Sequence, residues 1–411
     1  MSTGEKKVIK NKKKIAFVAS GGAIKASCFH IGVMLAMERF GFSFVGGKKE
    51  DSRELITKPG QVSVYVGSSA GAFVASLIAG GFSPNELYGS LSGHKNKKST
   101  LRPIIYFDVI GNNIISNITS TFNSWIRTTK YKHFSIEGAL QSILGINGLF
   151  NTKNVGKYIS AVMPTNDFKE LIPELYIVTT ELDNPNRIIL GSKELYTTRS
   201  AIFDTDVNIS DAAIGSMSLP FIFGPYKLTV KGKKVYVFDG EVRHTLSNHI
   251  AKDAGADLII ASYTHQPYVY NEEYGSLINY GLTSIMVQTI YQLVESRIKE
   301  SRSKHIAKQN AIDEVTDFFE EKKLPKELLN ELLDRMYKKI DYDPNVDYIY
   351  ISPDPNDSNM FFEDHFNLST RSMGKIIRSG FKSAYQALSQ YEFDFTDTEF
   401  EFLTEENNLW A

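Results

Sequence analysis

Residues 61–79 read QVSVYVGSSAGAFVASLIA and contain the segment that decides the fold. The β-branched run Val62–Val66 predicts a buried strand, and the small-residue run Ala70–Ala79 predicts a helix. Between them Gly67-Ser68-Ser69-Ala70-Gly71 forms a G-x-S-x-G in the strand–turn–helix setting of a nucleophile elbow. Glycine on both sides lets the strand and helix backbones approach each other, and the sharp turn lifts the serine hydroxyl clear of the sheet. Ser69 is therefore the candidate nucleophile.

A second glycine turn lies earlier in the chain, again between a strand and a helix. Ile15–Ala19 predicts a strand, residues 20–25 read SGGAIK, and the apolar pattern from Ser27 to Phe40 predicts a helix. Consecutive backbone N–H groups in such a turn bind anions, as an acyl-transfer enzyme requires for its oxyanion. A phosphate-binding loop is the alternative, but neither G-x-x-x-x-G-K-[ST] nor G-x-G-x-x-G is matched. The repeated strand–turn–helix order predicts a parallel sheet covered by helices.

Two kinds of side chain are candidates for the base that takes the serine proton. Asp239-Gly240 follows the apolar strand Val235–Phe238, where burial and the nearby Glu241 would raise the carboxyl pKa toward neutrality. His244 and His265 are the alternatives, because both follow the serine in the chain order of a Ser–Asp–His triad. The residues alone leave the carboxylate and the two histidines open.

Four segments together resemble patatin-like phospholipases, over roughly residues 15–265. They are the glycine turn at 20–26, the G-x-S-x-G at 67–71, the stretch AAIGSMSLPFIFGP at 212–225, and Asp239-Gly240. The resemblance implies an α/β fold, a three-layer α/β/α patatin-like hydrolase with a mostly parallel central sheet and a helical C-terminal addition.

The resemblance also implies the residues of the site. Ser69 and Asp239 would form a catalytic dyad that needs no histidine, metal or cofactor. The oxyanion and substrate-binding residues would be Gly21, Gly22, Ala23 and Lys25, with Lys25 orienting the turn or meeting a phosphate, unless it is simply solvated.

The chain departs from the family pattern at two places. Ala23 and Ala26 stand where the family has glycine, and Glu241 stands where Gly or Ala usually follows Asp-Gly. An alanine can donate its N–H in the turn provided that its backbone avoids positive φ. Both departures bear on the rate more than on the type of reaction.

The implied activity is that of a serine lipid acyl hydrolase of the phospholipase A or lysophospholipase type, working through an acyl-enzyme. Two alternatives stay open: a catalytically weak lipid-binding or partner-activated scaffold protein, and a Ser–His–Asp esterase. The expected partners are phospholipids or other acyl-ester lipids at a membrane surface, together with a protein activator. The sequence does not indicate an oligomeric state.

Three regions are predicted along the 411 residues: a basic arm at 1–14, a patatin-like catalytic domain at 15–270, and a mainly helical region at 271–411 with a late strand near 347–351. The arm carries six lysines and is expected to be frayed and solvated, with contact to anionic lipid as the alternative. The segment Leu101–Trp125 is expected to be a lid or a membrane-contacting surface, with an insertion that packs on the core as the alternative.

Within the third region the sequence predicts one amphipathic helix over Thr283–Lys308 and a helical hairpin over Ala311–Ile340 that is broken at Pro325. A further helix is predicted over Ser372–Gln390. The acidic tail after Tyr391 is expected to be a solvated end.

Composition excludes several classes of protein. A net charge of −1 leaves no basic excess for nucleic-acid binding, and 42% hydrophobic residues exclude a wholly disordered chain. The single cysteine, Cys28, excludes an internal disulfide and any cysteine-built metal site. The uncharged stretch Gln61–Asn85 is long enough to span a bilayer, but its four glycines favour strand, turn and helix instead. With no secretory signal or transmembrane helix indicated, a cytoplasmic or peripheral-membrane location is expected, with non-classical export as the alternative.

Overall fold

The computed structural model describes residues 6–49, 58–92, 101, 152–196, 201–220, 223–243, 245–357, 360–361 and 369–395. The strands are β1 (Lys7–Ile9), β2 (Ile15–Ala19), β3 (Ser43–Phe44), β4 (Gln61–Gly67), β5 (Glu174–Glu181), β6 (Arg187–Gly191), β7 (Ile202–Asp204), β8 (Tyr226–Val230), β9 (Lys233–Asp239), β10 (Leu258–Ser262), β11 (Asp347–Ile351) and β12 (Tyr391–Phe393). The helices are α1 (Ala23–Arg39), α2 (Ala70–Ala79), α3 (Pro84–Ser92), α4 (Lys153–Val162), α5 (Ile209–Ser216), α6 (Asn248–Asp253), α7 (Gly281–Glu321), α8 (Lys326–Ile340) and α9 (Thr370–Leu388). Short 3₁₀ turns cover Phe168–Glu170, Gly240–Val242 and Leu277–Tyr280.

The central sheet has the strand order β11-β10-β2-β4-β5-β6-β7. The adjacent strands in this order from β11 to β5 pair in parallel, as the two strand–turn–helix units predicted, whereas β6 runs antiparallel to β5. The hairpin β8–β9 joins the sheet because β9 pairs antiparallel with β5. The mostly parallel sheet predicted from the sequence is therefore confirmed.

Strand β5 explains how distant residues meet. β4 pairs with its first half, up to Gly67 opposite Ile177, and β9 pairs with its second half, with Asp239 opposite Thr179. The opposite edge of β5 is occupied by β6, so β4 and β9 share one edge and run toward each other. Their carboxyl ends consequently converge two positions apart along β5, which brings the turn after Gly67 next to Asp239.

Each inner strand sends alternate side chains to opposite faces of the sheet, as the twofold period of a strand requires. In β2, Ile15 and Phe17 pack in one core with residues of α1, α2 and α9. Ala16 and Val18 pack in a second core with residues of α6 and α7. Helices thus cover both faces, and the three-layer arrangement predicted from the sequence is confirmed.

The C-terminal region contributes to this same architecture. β11, the late strand expected near 347–351, pairs in parallel with β10 along its whole length, and α9 packs on α1. Helix α7 runs unbroken to Glu321, so the predicted end at Lys308 is wrong; no proline or further glycine interrupts the sequence until Pro325. The domain boundary near residue 270 stays a prediction.

The two ends of the described chain pair with each other. β1 lies parallel to β12, with Ile9 buried opposite Phe393, and Lys7 and Lys12 both form ion pairs with Asp347. The prediction of a frayed arm is therefore wrong for residues 7–9, and the prediction of a solvated tail is wrong for residues 392–393, because each strand supplies the other's hydrogen bonds. Residues 396–411 lie outside the described residues, as does the expected lid beyond Leu101.

Candidate active site

The turn that carries Ser69 is sharp and strained. Ser69 lies between β4 and α2 with φ 53° and ψ −125°, a backbone conformation that residues other than glycine rarely adopt. A Cβ on Gly67 would lie 2.6 Å from Ala72 Cα, and one on Gly71 would lie 2.1 Å from the Ala19 carbonyl oxygen. The prediction that glycine at both flanks permits a close approach of the backbones is confirmed, and the strand and helix hold Ser69 in its turn.

A serine that the sequence analysis did not single out fixes the nucleophile's amide. The Ser69 N–H donates to Ser216 Oγ (2.9 Å), and the Ser216 hydroxyl donates to the Val178 carbonyl on β5 (2.7 Å). Ser216 is fully buried at the end of α5. It lies in the stretch 212–225 that carried part of the family resemblance, but its contact with Ser69 spans 147 positions and leaves no local signal.

Asp239 ends β9 with its carboxyl group against the nucleophile. The Ser69 hydroxyl interacts with it and favours its ionised form, and its side chain is 1% exposed. The Glu241 N–H donates to Asp239 Oδ1 (2.9 Å), and the Asp239 N–H donates to the Ser218 carbonyl (3.1 Å). Burial raises the pKa of Asp239 to about 6, so the carboxylate is ionised at pH 7 yet far more basic than an exposed one.

The first glycine turn ends in a strained helix start. Gly22 has φ 130° and Ala23 has φ 56°, so the condition stated for Ala23, that its backbone avoids positive φ, is not met. Positive φ at an alanine costs strain, but it leaves the N–H in place as a donor. α1 begins at Ala23, not near Ser27, because the turn winds directly into the helix. The N–H groups of Gly22 and Ala23 have no acceptor among the described residues, as expected for a helix N-terminus. These two groups are available to an anion.

Gly21 and Lys25 are placed differently from Gly22 and Ala23. The Gly21 N–H donates to Glu241 Oε1 (3.2 Å), and its carbonyl accepts from the Thr264 hydroxyl (3.1 Å). Lys25 is 1% exposed; its Nζ donates to the Met360 carbonyl (2.8 Å) and lies 5.2 Å from the centre of the Tyr291 ring. A solvated Lys25 is therefore wrong, and its contacts tie α1 to the C-terminal region.

Glu241 is the second buried carboxyl group of the site. Its Oε1 also accepts the hydroxyl of Ser68, while Oε2 is buried without a hydrogen-bond partner among the described residues. Burial, and then the charge of Asp239, raise the pKa of Glu241 to about 8. The sequence marked Glu241 as a departure from the family pattern but gave no sign of its contacts.

Of the two histidine alternatives, His265 lies among the described residues and makes no hydrogen bond with Ser69. His265 is buried with its ring 5.3 Å from that of Tyr291, and burial lowers its pKa to about 3. Its Nδ1 has no hydrogen-bond partner in the described part of the chain. His244 lies outside the described residues. The structure brings Asp239, and not His265, to Ser69.

Two kinds of feature are absent from the residues that the structure describes. Within these ranges, no group of three or more His, Cys, Asp or Glu side chains is arranged to hold a metal ion. In the same part of the chain, none of the helices combines the length and the apolar character needed to cross a bilayer.

Comparison with known proteins gave one family match. The model of the patatin-like phospholipase family matches residues 17–251. Among solved structures, VipD from Legionella pneumophila is 13% identical with a TM-score of 0.38, covering 92% of this chain and 67% of that one. A chain in the complex of full-length SpcU with full-length ExoU, from the type III secretion system of Pseudomonas aeruginosa, is 19% identical with a TM-score of 0.22, covering 51% of this chain and 39% of that one. No curated protein sequence matches the chain.

Proposed function

Because this chain belongs to the patatin-like phospholipase family, we propose that it is a lipid acyl hydrolase that cleaves fatty-acyl esters through a Ser69–Asp239 dyad. The observation that carries this proposal is the convergence of β4 and β9 on β5, which brings Ser69 to the buried Asp239 carboxylate, whose ionised form the Ser69 hydroxyl favours. Nucleophile and base within hydrogen-bond reach are what nucleophilic catalysis requires.

The first half of the reaction forms an acyl-enzyme. Ser69 Oγ attacks the carbonyl carbon of a lipid ester while its proton passes to Asp239. The carbonyl oxygen becomes an oxyanion, which the N–H groups of Gly22 and Ala23 stabilise, with the N-terminal dipole of α1 behind them. When the tetrahedral intermediate collapses, Asp239 returns the proton to the departing alcohol, and Ser69 is left as a fatty-acyl ester.

The second half releases the fatty acid. Asp239, again ionised, takes a proton from a water molecule as that water attacks the acyl-enzyme. The second tetrahedral intermediate collapses with the proton passing back to Ser69 Oγ. A carboxylate is adequate for both proton transfers because burial raises the pKa of Asp239 to about 6, close to the working pH.

The proposed substrates are phospholipids or related acyl-ester lipids, met at a membrane surface, with residues 15–270 as the catalytic domain and a protein activator as a further proposed partner. The test is mass spectrometry of the fatty acids and lysolipids released from mixed phospholipid vesicles. The wild type should release both products. Ser69→Ala should release neither, although it binds the same vesicles.

The same assay separates the alternatives. A scaffold protein would bind vesicles without releasing fatty acid, and Ser69→Ala would then match the wild type. A histidine-assisted esterase would lose turnover in His265→Ala or His244→Ala and keep it in Asp239→Asn. The dyad predicts the reverse pattern.

A further inference from the structure

Glu241 joins three segments of the site through one carboxyl group. It lies two residues after Asp239, in the 3₁₀ turn Gly240–Val242. Its Oε1 accepts both the N–H of Gly21 (3.2 Å) and the hydroxyl of Ser68. Gly21 belongs to the turn that supplies the oxyanion donors, and Ser68 immediately precedes the nucleophile.

We propose that Glu241 is a positioning residue. It extends from the turn that carries the base, and its carboxyl group sets the spacing between the oxyanion turn and the nucleophile elbow. The inference rests on the proposed function, since it concerns the same site. Glu241 would act through Gly21 and Ser68, without touching the reacting atoms.

The position of Gly21 makes such a contact consequential. A Cβ on Gly21 would lie 2.8 Å from Ser69 Cβ, 3.3 Å from Ser69 Oγ and 3.0 Å from Glu241 Cγ, so Gly21 lies closely against both the nucleophile and the Glu241 side chain. Thr264 binds the Gly21 carbonyl and His30 binds the Ser20 carbonyl (2.9 Å), and both contacts tie the turn to its neighbours in the fold. Among the described residues, Glu241 is the side chain that bonds the turn and the elbow together.

The charge of Glu241 matters because an anion here would oppose the oxyanion. Within the described part of the chain, the charged group that raises its pKa is Asp239, on its own side of the site. The nearby cations are directed elsewhere: Lys25 of α1 donates to the Met360 carbonyl, and Arg297 of α7 donates to the Val242 carbonyl. Burial and then Asp239 raise the pKa of Glu241 to about 8, so the group is neutral at pH 7 and becomes anionic above pH 8.

The test compares Glu241→Gln, Glu241→Gly and Ser68→Ala in steady-state hydrolysis of a short soluble acyl ester. Glu241→Gly, which restores the residue usual in the family, should lose about 10²-fold in kcat with KM nearly unchanged, since a misplaced catalytic turn costs rate, not binding. Glu241→Gln keeps a neutral acceptor oxygen for Gly21 and Ser68 and should lose less than about tenfold. Ser68→Ala should lie between them.

The pH profile supplies a readout that a merely structural role would not move. The wild type should lose kcat/KM above about pH 8, as Glu241 ionises, and Glu241→Gln should lack this alkaline fall. A Glu241→Gly variant more active than the wild type would overturn the proposal, because the side chain would then obstruct the site. Glu241→Gln is expected to fold even if Glu241→Gly does not. An alkaline limb that persists unchanged in Glu241→Gln would therefore overturn the proposal as well.

The failure of the proposed function is distinguishable from the failure of this inference. If the wild type neither releases fatty acid nor reacts with a serine-directed phosphonate, the hydrolase itself is wrong and the inference falls with it. If the wild type turns over and Ser69→Ala does not, while all three variants match the wild type, only the role of Glu241 is wrong.

Discussion

Replacing Asp239 by Asn tests the dyad with the smallest change of shape. Asn keeps the size and planar shape of the side chain and one acceptor oxygen, which can still receive the Glu241 N–H that donates to Asp239 Oδ1 at 2.9 Å. It cannot take up the serine proton. A positioned general base typically contributes about 10²–10⁴ in rate, so kcat/KM at pH 7 should fall by that factor.

The raised pKa of Asp239 sets the pH dependence. With a pKa of about 6, about nine-tenths of the carboxyl group is ionised at pH 7, and wild-type kcat/KM should fall about tenfold per pH unit below 6. Asp239→Asn should have no acid limb, because its remaining activity does not depend on that group.

Asp239→Asn should raise the stability of the fold although it lowers the activity. Folding raises the pKa of Asp239 from 3.8 to about 6, so the wild type loses stability as pH rises from about 4 to 6 and carries the full penalty above that. Two units of pKa correspond to about 3 kcal/mol. Asp239→Asn should therefore be more stable than the wild type by up to about 3 kcal/mol at pH 8 and equally stable at pH 4.

The assay is hydrolysis of a short soluble ester from pH 4 to 9, together with urea unfolding at pH 4 and pH 8. The unfolding data serve as the control, because they show that the variant is folded when its rate is measured. A loss below tenfold at pH 7, or an acid limb that persists in Asp239→Asn, would refute the assignment of Asp239 as the base.

Three further substitutions probe the backbone around the site. Ser216→Ala leaves the nucleophile's buried N–H without its acceptor, a penalty of about 1–3 kcal/mol, so kcat should fall about 10–100-fold; an unchanged kcat would remove its positioning role. Ala23→Gly relieves the strain at φ 56°, whereas Ala26→Gly weakens the interior of α1. Thermal unfolding should find Ala23→Gly more stable than Ala26→Gly by about 1–2 kcal/mol, and equal stabilities of the two variants would contradict this. Gly71→Ala places a Cβ 2.1 Å from a carbonyl oxygen and should lose more than about 3 kcal/mol, while Gly374→Ala, with no atom within 4 Å, should gain about 0.5–1 kcal/mol; similar denaturant midpoints would be unexpected.

The parts of the site that the sequence predicts are those with a local pattern. Ser69 and Asp239 each follow an apolar strand and lie within two residues of a glycine, so their positions at strand ends could be anticipated. Their meeting could be anticipated only through the family resemblance, since it depends on β4 and β9 sharing one edge of β5. The contacts of Glu241 and Ser216 could not, because their partners lie 220 and 147 positions away.

The fold shows the same division. Parallel strands and their covering helices have strong periodic patterns, and these were predicted. The pairing of β1 with β12 joins two three-residue strands at opposite ends of the described chain, and runs this short carry no signal for their partner. The unbroken α7 could have been predicted, since neither proline nor a further glycine lies between Gly281 and Pro325.

The most direct test of the central claim is to map the covalent adduct of a serine-reactive phosphonate by peptide mass spectrometry. The adduct should lie on Ser69, should be absent from Ser69→Ala, and should form at least about 10²-fold more slowly in Asp239→Asn, where no carboxylate takes the serine proton. An adduct on another serine, or labelling of Asp239→Asn at the wild-type rate, would contradict a hydroxyl at position 69 activated by the carboxylate at position 239.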